Sequence, residues 1–393
     1  MQLTGEVTAA DAAAARDALR GNGLLAQWVE ELKAPAASKG GVFGIGKKKV
    51  KAKSLQVFSR QFATMIEAGL SVVQALVILE QQTDDQALAA VVEDVREQVE
   101  SGALLSEAMG RHPDVFNKLY VAMVEAGEAA GVLDTVLDRV ATQIEKEQKI
   151  KRRVKGAMIY PTVVLVFAFL TLTGMLMFLV PVFVKVFEQL GGELPTLTQA
   201  VLHVSNLLRG YWFIIFPVMG AIIWGFFRWK RTETGRQAWD RFKLRIPVQI
   251  GTVVRKIAMA RFSRTLSTLV AAGVDIIKAL EITAQTSGNW VVEEETMKMR
   301  ARVQEGAPIA QPLIDSPVFP PMVGQMVKIG EETGELEKML SKVADFYEDE
   351  VDASIQALTS IIEPLMMIGV GAVVGIIIIS MYMPMFKMLT LIQ

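Results

Sequence analysis

Residues 58–69 read FSRQFATMIEAG, and residues 262–273 read FSRTLSTLVAAG. The second stretch repeats the first 204 positions later, and the correspondence runs well beyond it. Ala75 and Leu76 return as Ala279 and Leu280, Gly102 as Gly306 and Pro113 as Pro317. After one deletion, Ala126-Gly127-Glu128 is answered by Ile329-Gly330-Glu331, Tyr160-Pro161 by Glu363-Pro364, and Pro181-Val182-Phe183 by Pro384-Met385-Phe386. A period this long marks a duplicated domain rather than a solenoid of short repeats. Each copy ends in a long apolar run, so a polar module and a membrane anchor were duplicated as one unit.

Hydrophobic residues make up 51% of the chain while charged residues still reach 21%, as expected of polar domains stitched to membrane spans. The absence of cysteine excludes disulfides, thiol catalysis, thiolate zinc sites and iron–sulfur clusters. Two histidines, His112 in a turn beside Pro113 and His203 in an expected loop, leave no material for a histidine metal cluster or a Ser-His-Asp relay. Both read as incidental. The alanine-rich, acidic-to-neutral start lacks the pattern of a secretory signal peptide.

Three stretches are free of charge for long enough to cross a bilayer, which takes about 20 helical residues. They are 156–184, 210–227 and 364–386, giving spans expected at 156–184, 210–228 and 364–386, with Pro217 kinking the second. Cations crowd the approach to the first span (Lys146, Lys149, Lys151, Arg152, Arg153, Lys155) and the exit from the second (Arg228, Lys230, Arg231, Arg236). The connection 185–209 is poor in them. The positive-inside bias therefore puts the helical domains 55–155 and 229–363 in the cytoplasm, with 185–209 as a short periplasmic loop and 387–393 as a periplasmic tail. Upstream, 1–34 is an amphipathic segment and 35–54 a basic flexible linker.

Each module reads as an all-α bundle, giving an all-α membrane protein of two homologous cytoplasmic helical bundles and three transmembrane helices. Phe58, Phe62, Met65 and Ile66 fall on one helical face, matched by Phe262, Leu266, Leu269 and Val270. Gly69 and Gly273 stop these helices, and Ser71 and Asp275 start the next. From Gly131 to Lys155, and from Gly334 to Glu363, nothing breaks the helical pattern, so each module is expected to continue into its span.

Residues 41–47, GVFGIGK, have the spacing of a P-loop, but Lys48 stands where Ser or Thr would ligate magnesium, and no strand precedes it. The motif is rejected, and no cofactor or catalytic residue is expected. The richer constellation is a pair of glycine corners, EAGEAAGVL at 125–133 and IGEETGEL at 329–336. Glycines four apart are expected to end one helix and start the next, with carboxylates at the positive first turn of the following helix. Such corners are structural, or they form an acidic docking surface or an oxygen-ligand site for a divalent cation.

Together these residues resemble the inner-membrane platform family of type IV pilus assembly and type II secretion, PilC or GspF. The resemblance is carried by the two copies of the Phe58 motif, both glycine corners, Tyr160-Pro161, and PVFVKVFEQLGGELPTLT from Pro181, with Gly191, Leu194 and Thr198 within it. It covers nearly everything from Phe58 onward, whereas members usually open with a short strand-containing piece, inside which this chain is expected to begin. It implies structural roles for Gly69, Gly127, Gly131, Pro161, Pro181, Phe183, Pro195, Gly273, Gly330, Gly334, Pro364 and Pro384. It also implies a non-enzymatic role in the bacterial inner membrane, coupling a hexameric cytoplasmic ATPase to insertion or extraction of pilin or pseudopilin transmembrane helices. Other inner-membrane assembly proteins and a homo-oligomer are implied as partners, and nucleic acid is not. Candidate ATPase contacts are Glu125, Glu128, Glu331, Glu332 and Glu335, with Arg152 and Arg153 as further candidates for the same contact.

The residues present disfavour two other classes. A transporter needs polar groups within its spans, which hold little beyond Thr162, Thr171, Thr173 and Ser380. A membrane enzyme needs a convergent constellation that is absent from the sequence. Pilus assembly is preferred over secretion, which uses the same architecture.

Overall fold

The computed structural model describes residues 49–189, 195–246 and 250–389. The expected segments 1–34 and most of 35–54, the rejected P-loop at 41–47, Gly191, Leu194 and the tail beyond Leu389 lie outside the described residues. Among the described residues every regular element is helical.

The first copy folds as α1 (Ala52–Glu67), α2 (Val72–Gln82), α3 (Gln86–Glu100), α4 (Leu105–Gly110), α5 (Lys118–Ala130) and the long α6 (Leu133–Gly174). A π-helical turn, Met175–Leu179, continues α6 into α7 (Val180–Gln189). Next come α8 (Thr196–Trp229) and α9 (Glu233–Arg245). The second copy follows as α10 (Ile250–Ala271), α11 (Ile276–Thr286), α12 (Trp290–Gln304), α13 (Ala310–Asp315), α14 (Pro321–Thr333) and α15 (Leu336–Leu389).

Corresponding positions do corresponding work. Ser71 closes a capping box with Gln74 at the start of α2, and Asp275 accepts from the backbones of Ile277 and Lys278 at the start of α11. Phe58, Phe62, Phe262, Leu266 and Leu269 are fully enclosed, each contributing roughly 1.5–3 kcal/mol by burial. The Phe58 ring meets Phe116 at 6.1 Å, and its counterpart Phe262 meets Phe319 at 4.8 Å. The buried residues of both bundles form one connected core.

The expected continuity into the membrane is present: α6 and α15 each run unbroken from a glycine corner into an apolar stretch. Three helices are long and apolar enough to cross a bilayer, and their faces carry exposed Phe167, Phe178, Leu365 and Ile368. The spans meet where Val180, Val184, Ile377 and Met381 are buried together.

The region expected as a periplasmic loop is largely helical. Helix α7 reaches Gln189 and α8 already begins at Thr196, so His203 lies in a helix rather than a loop. The reason is amphipathicity: Thr198, Val201, Leu202 and Ser205 pack against the other two spans, which a search for charge-free runs overlooks. Helix α8 is interrupted at Tyr211, whose φ of -123° and ψ of 15° leave the helical region, and Pro217 lies within its second part.

Two hydroxyls of α8 complete the junction. In the π-helical turn the Val180 N–H bonds the Met175 carbonyl, five residues back. The next donor in that register belongs to Pro181, which has none, and the Ser205 hydroxyl donates to the Leu176 carbonyl instead. Pro384, the counterpart of Pro181, likewise has no N–H for the Ser380 carbonyl four residues back, and the Thr198 hydroxyl donates there. A carbonyl left open by proline in each duplicated span is thus closed by the span that was not duplicated.

Candidate functional site

The arginine of the repeated FSR motif organises each bundle. Arg60 donates through Nε and Nη2 to Glu145 at 2.7 and 2.8 Å, reaches the Thr142 hydroxyl at 3.0 Å and also holds Asp138. Arg264 donates through Nε to Glu348 at 2.8 Å, through Nη1 to the Ser341 hydroxyl at 3.2 Å and through Nη2 to Asp345. The partners sit at corresponding positions with one exchange: Asp138 and Thr142 of the first copy are Ser341 and Asp345 in the second. Each clasp ties the first helix of a bundle to the helix that enters the membrane.

That exchange has an electrostatic consequence. Asp345 stands where Lys146 of the first copy reaches it at 3.3 Å, and Lys146 also meets Glu348 at 3.5 Å. The hydrogen bond from Arg60 holds the Glu145 carboxyl below its ordinary range against partial burial. For Asp345, burial pushes upward but is outweighed by the hydrogen bond and charge of Arg264, with Lys146 adding to both. Arg139–Glu337 at 3.2 Å, Lys278–Glu125 at 2.8 Å and Arg153–Asp352 complete a polar seam between the copies. The cleft along it is lined by Arg139, Gln143, Lys146 and Arg264.

The glycine corners correct the sequence reading in two respects. Only the second glycine of each ends a helix: Gly131 and Gly334 adopt φ of 70° and 76°. The first lies within α5 or α14 and is needed for close packing. A Cβ on Gly127 would meet the Val136 Cβ at 3.0 Å, and one on Gly330 would meet the Leu336 Cα at 2.8 Å. The carboxylates of Glu128 and Glu331 do not serve the following helix, whose first turns carry Asp134 and Glu337. They reach back in the chain. Glu128 accepts from the backbones of Leu105 and Ser106 at 2.6 and 2.9 Å, and Glu331 from Ile309 and Ala310 at 2.8 and 3.1 Å. The pair is one structural device made twice, pinning the short helices α4 and α13.

The remaining candidates fall into separate places. Glu125 bridges to the second bundle through Lys278. Glu332 and Glu335 are exposed, with Lys328 at 3.9 Å four residues before the first and Lys338 at 3.0 Å three residues after the second. Arg152 is exposed and Arg153 is paired with Asp352. Both stand far along α6 from the Gly131 corner, roughly 30 Å at the helical rise, so one compact contact does not hold both sets. Among the described residues no cluster gathers three or more potential metal ligands, and Glu128 and Glu331 spend their oxygens on backbone donors. The sequence reading missed Arg60 and Arg264, although their recurrence inside the best-matched segment of the repeat was a usable signal.

Both halves of the chain match one family model, described as type II secretion system protein F, over residues 58–181 and 262–384. A type IV pilus assembly protein PilC from Thermus thermophilus is 46% identical over 342 residues, covering 86% of this chain and 83% of that protein. PilC from Myxococcus xanthus is 44% identical over 344 residues, covering 88% and 82%. A type II secretion system protein F from Aeromonas hydrophila is 32% identical over 375 residues, covering 95% and 96%.

Proposed function

Because the chain belongs to the type II secretion system protein F family, we propose that it is the inner-membrane platform protein of a type IV pilus assembly machine. The observation that carries the choice of pilus is the difference in similarity: 38–46% identity to type IV pilus assembly proteins against 32–34% to type II secretion proteins F. Assembly of a secretion pseudopilus is the second reading, supported by the match of the Aeromonas hydrophila protein F to 95% of this chain.

On this reading both bundles lie in the cytoplasm, as the basic residues flanking the first two spans favour, and the C-terminus is periplasmic. A cytoplasmic hexameric ATPase engages the bundles, and pilin transmembrane helices, other inner-membrane assembly proteins and further copies of this chain meet the spans. The chain itself performs no catalysis. Continuous helices α6 and α15, braced by the Arg60 and Arg264 clasps, support transmission of movement from bundle to membrane. Glu332 and Glu335 are the preferred docking residues because they are exposed and, among the described residues, engage only lysines three or four residues away, whereas Glu125, Glu128 and Glu331 are tied to other elements. Glu125, Glu128 and Glu331 contribute to the same surface through the bridge and caps that shape it, and Arg152 and Arg153 belong to a separate contact nearer the membrane.

The test is co-purification of the assembly ATPase with full-length protein. Charge reversal by Glu332→Lys and Glu335→Lys should abolish recruitment while membrane insertion is retained. Recruitment equal to that of the unaltered chain would remove the acidic corner from the docking surface.

A further inference from the structure

Helix α9 lies between the two segments matched by the family model and has no counterpart among the described residues of the first copy. It follows the second span by only three residues, and it does not continue outward. Thr232 caps it, and Gly235 packs so tightly against the end of α8 that a Cβ there would lie 2.0 Å from the Trp229 carbonyl oxygen. The fold-back brings the Trp239 ring to 5.1 Å from Phe226, which belongs to the charge-free run of the span, in an edge-on arrangement. Lys230 Nζ lies 5.3 Å from the same ring. Trp239 is therefore level with the last turn of the span, where aromatic side chains mark the boundary between hydrocarbon and water.

The two sides of α9 differ. On one side it is fastened to the second bundle: Asp240 accepts from the Trp290 backbone at 3.0 Å, Arg241 stacks over the Trp290 ring at 4.5 Å, and Arg236 meets Glu293 at 3.1 Å. On the other, Phe242 is 56% exposed beside Arg245, and Phe227 and Trp229 are also open at the end of α8. Arg231 and Arg245 are exposed, and neither has an anionic partner among the described residues. Open aromatic rings with unneutralised arginines at the level of a span's end complement a bilayer surface that carries negative headgroups.

We propose that α9 is an interfacial helix that seats Phe242 in the headgroup region and binds the headgroups of anionic phospholipids through Arg231 and Arg245. Since α9 is fixed to α12 by Asp240, Arg241 and Arg236, the lipid contact sets the height and tilt of the second bundle above the membrane. The first bundle has no such plate among its described residues.

The chain contains no cysteine, so Phe242→Cys accepts a single fluorophore in the full-length protein. In phosphatidylcholine nanodiscs, a small fraction of lipid carries a headgroup nitroxide, on either phosphatidylglycerol or phosphatidylcholine at equal content. Nitroxide phosphatidylglycerol should quench the label several-fold more strongly. Adding Arg231→Gln and Arg245→Gln should bring the ratio toward one. Ala238→Cys, one turn earlier and exposed, gives the same reading with Phe242 intact. Leu104→Cys, exposed in the first bundle, should remain unquenched. Equal quenching by the two lipids at both α9 positions would overturn the proposal. So would labels there that stay in water and are shielded only when an acidic protein partner is added.

Discussion

The Ser205 hydroxyl donates to the Leu176 carbonyl, the acceptor that Pro181 leaves without a backbone donor. Thr198 does the same for Ser380, which Pro384 leaves open. In hydrocarbon an unpaired carbonyl has no water to turn to, so a proline within a span is tolerated where a neighbouring helix replaces the missing donor. The second span, present once, thereby joins two spans that arose by duplication.

Removing these hydroxyls should loosen the junction. Ser205→Ala and Thr198→Val should each cost about 0.5–1.5 kcal/mol, the range measured for hydrogen bonds between membrane helices. Unfolding of the full-length protein in detergent, followed by circular dichroism, measures this. An unchanged midpoint in both variants would show that the open carbonyls find other donors.

The two arginine clasps should not be equal. The Arg264 side chain is 12% exposed, and it carries two carboxylates that also engage Lys146, whereas Arg60 is 36% exposed. Arg264→Gln should cost about 3 kcal/mol, in the range for breaking a buried ion pair. Arg60→Gln should cost about 1 kcal/mol, as for a more exposed pair. Thermal melting of the two variants gives the order directly, and a larger loss for Arg60→Gln would reverse it.

Acid should weaken both clasps. Glu145 and Asp345 titrate below the ordinary carboxylate range in the folded state. Their stabilisation is therefore complete above the unfolded carboxylate pKa of about 4 and is lost as pH falls through the lower folded values. Melting temperature should decline below about pH 4, and the double variant Arg60→Gln/Arg264→Gln should show a shallower decline. An identical acid limb in the double variant would detach the effect from these carboxylates.

The two kinds of corner glycine should respond differently. Gly330→Ala forces a methyl against the Leu336 backbone and should cost about 1–3 kcal/mol by overpacking. Gly334→Ala meets open space and should cost only the left-handed backbone penalty, about 1–2 kcal/mol. Asparagine, which tolerates the left-handed conformation, should be accepted better than alanine at 334 and worse than alanine at 330, where any side chain meets the Leu336 backbone. The same order at both positions would refute the assignment.

Much of this fold was legible because duplication printed each signal twice. The Phe58 and Phe262 faces, the helix stops at Gly69 and Gly273 and the continuous helices into the membrane all followed from local pattern. What escaped was long-range. Glu128 reads as an acidic corner until Leu105 and Ser106, more than twenty residues earlier in the chain, are seen to occupy its oxygens. The segment around Thr198 and Ser205 reads as a loop because its polar residues break the apolar run, yet those hydroxyls are what the neighbouring spans require. Arg60 and Arg264 recur in the repeat, but their carboxylates lie some eighty residues away, and helical periodicity carries no information about such pairs.

On the proposed function, movement of the first bundle reaches the membrane through the unbroken helix α6. A short flexible glycine insertion between Lys155 and Gly156 interrupts that helix while leaving the bundle, the span and the proposed docking residues Glu332 and Glu335 unchanged. The direct measurement is the amount of surface filament assembled by cells carrying the insertion, at matched levels of membrane-inserted protein. Filaments should be lost although the ATPase is still recruited. Filaments at the level of the unaltered protein would mean that α6 does not carry the movement.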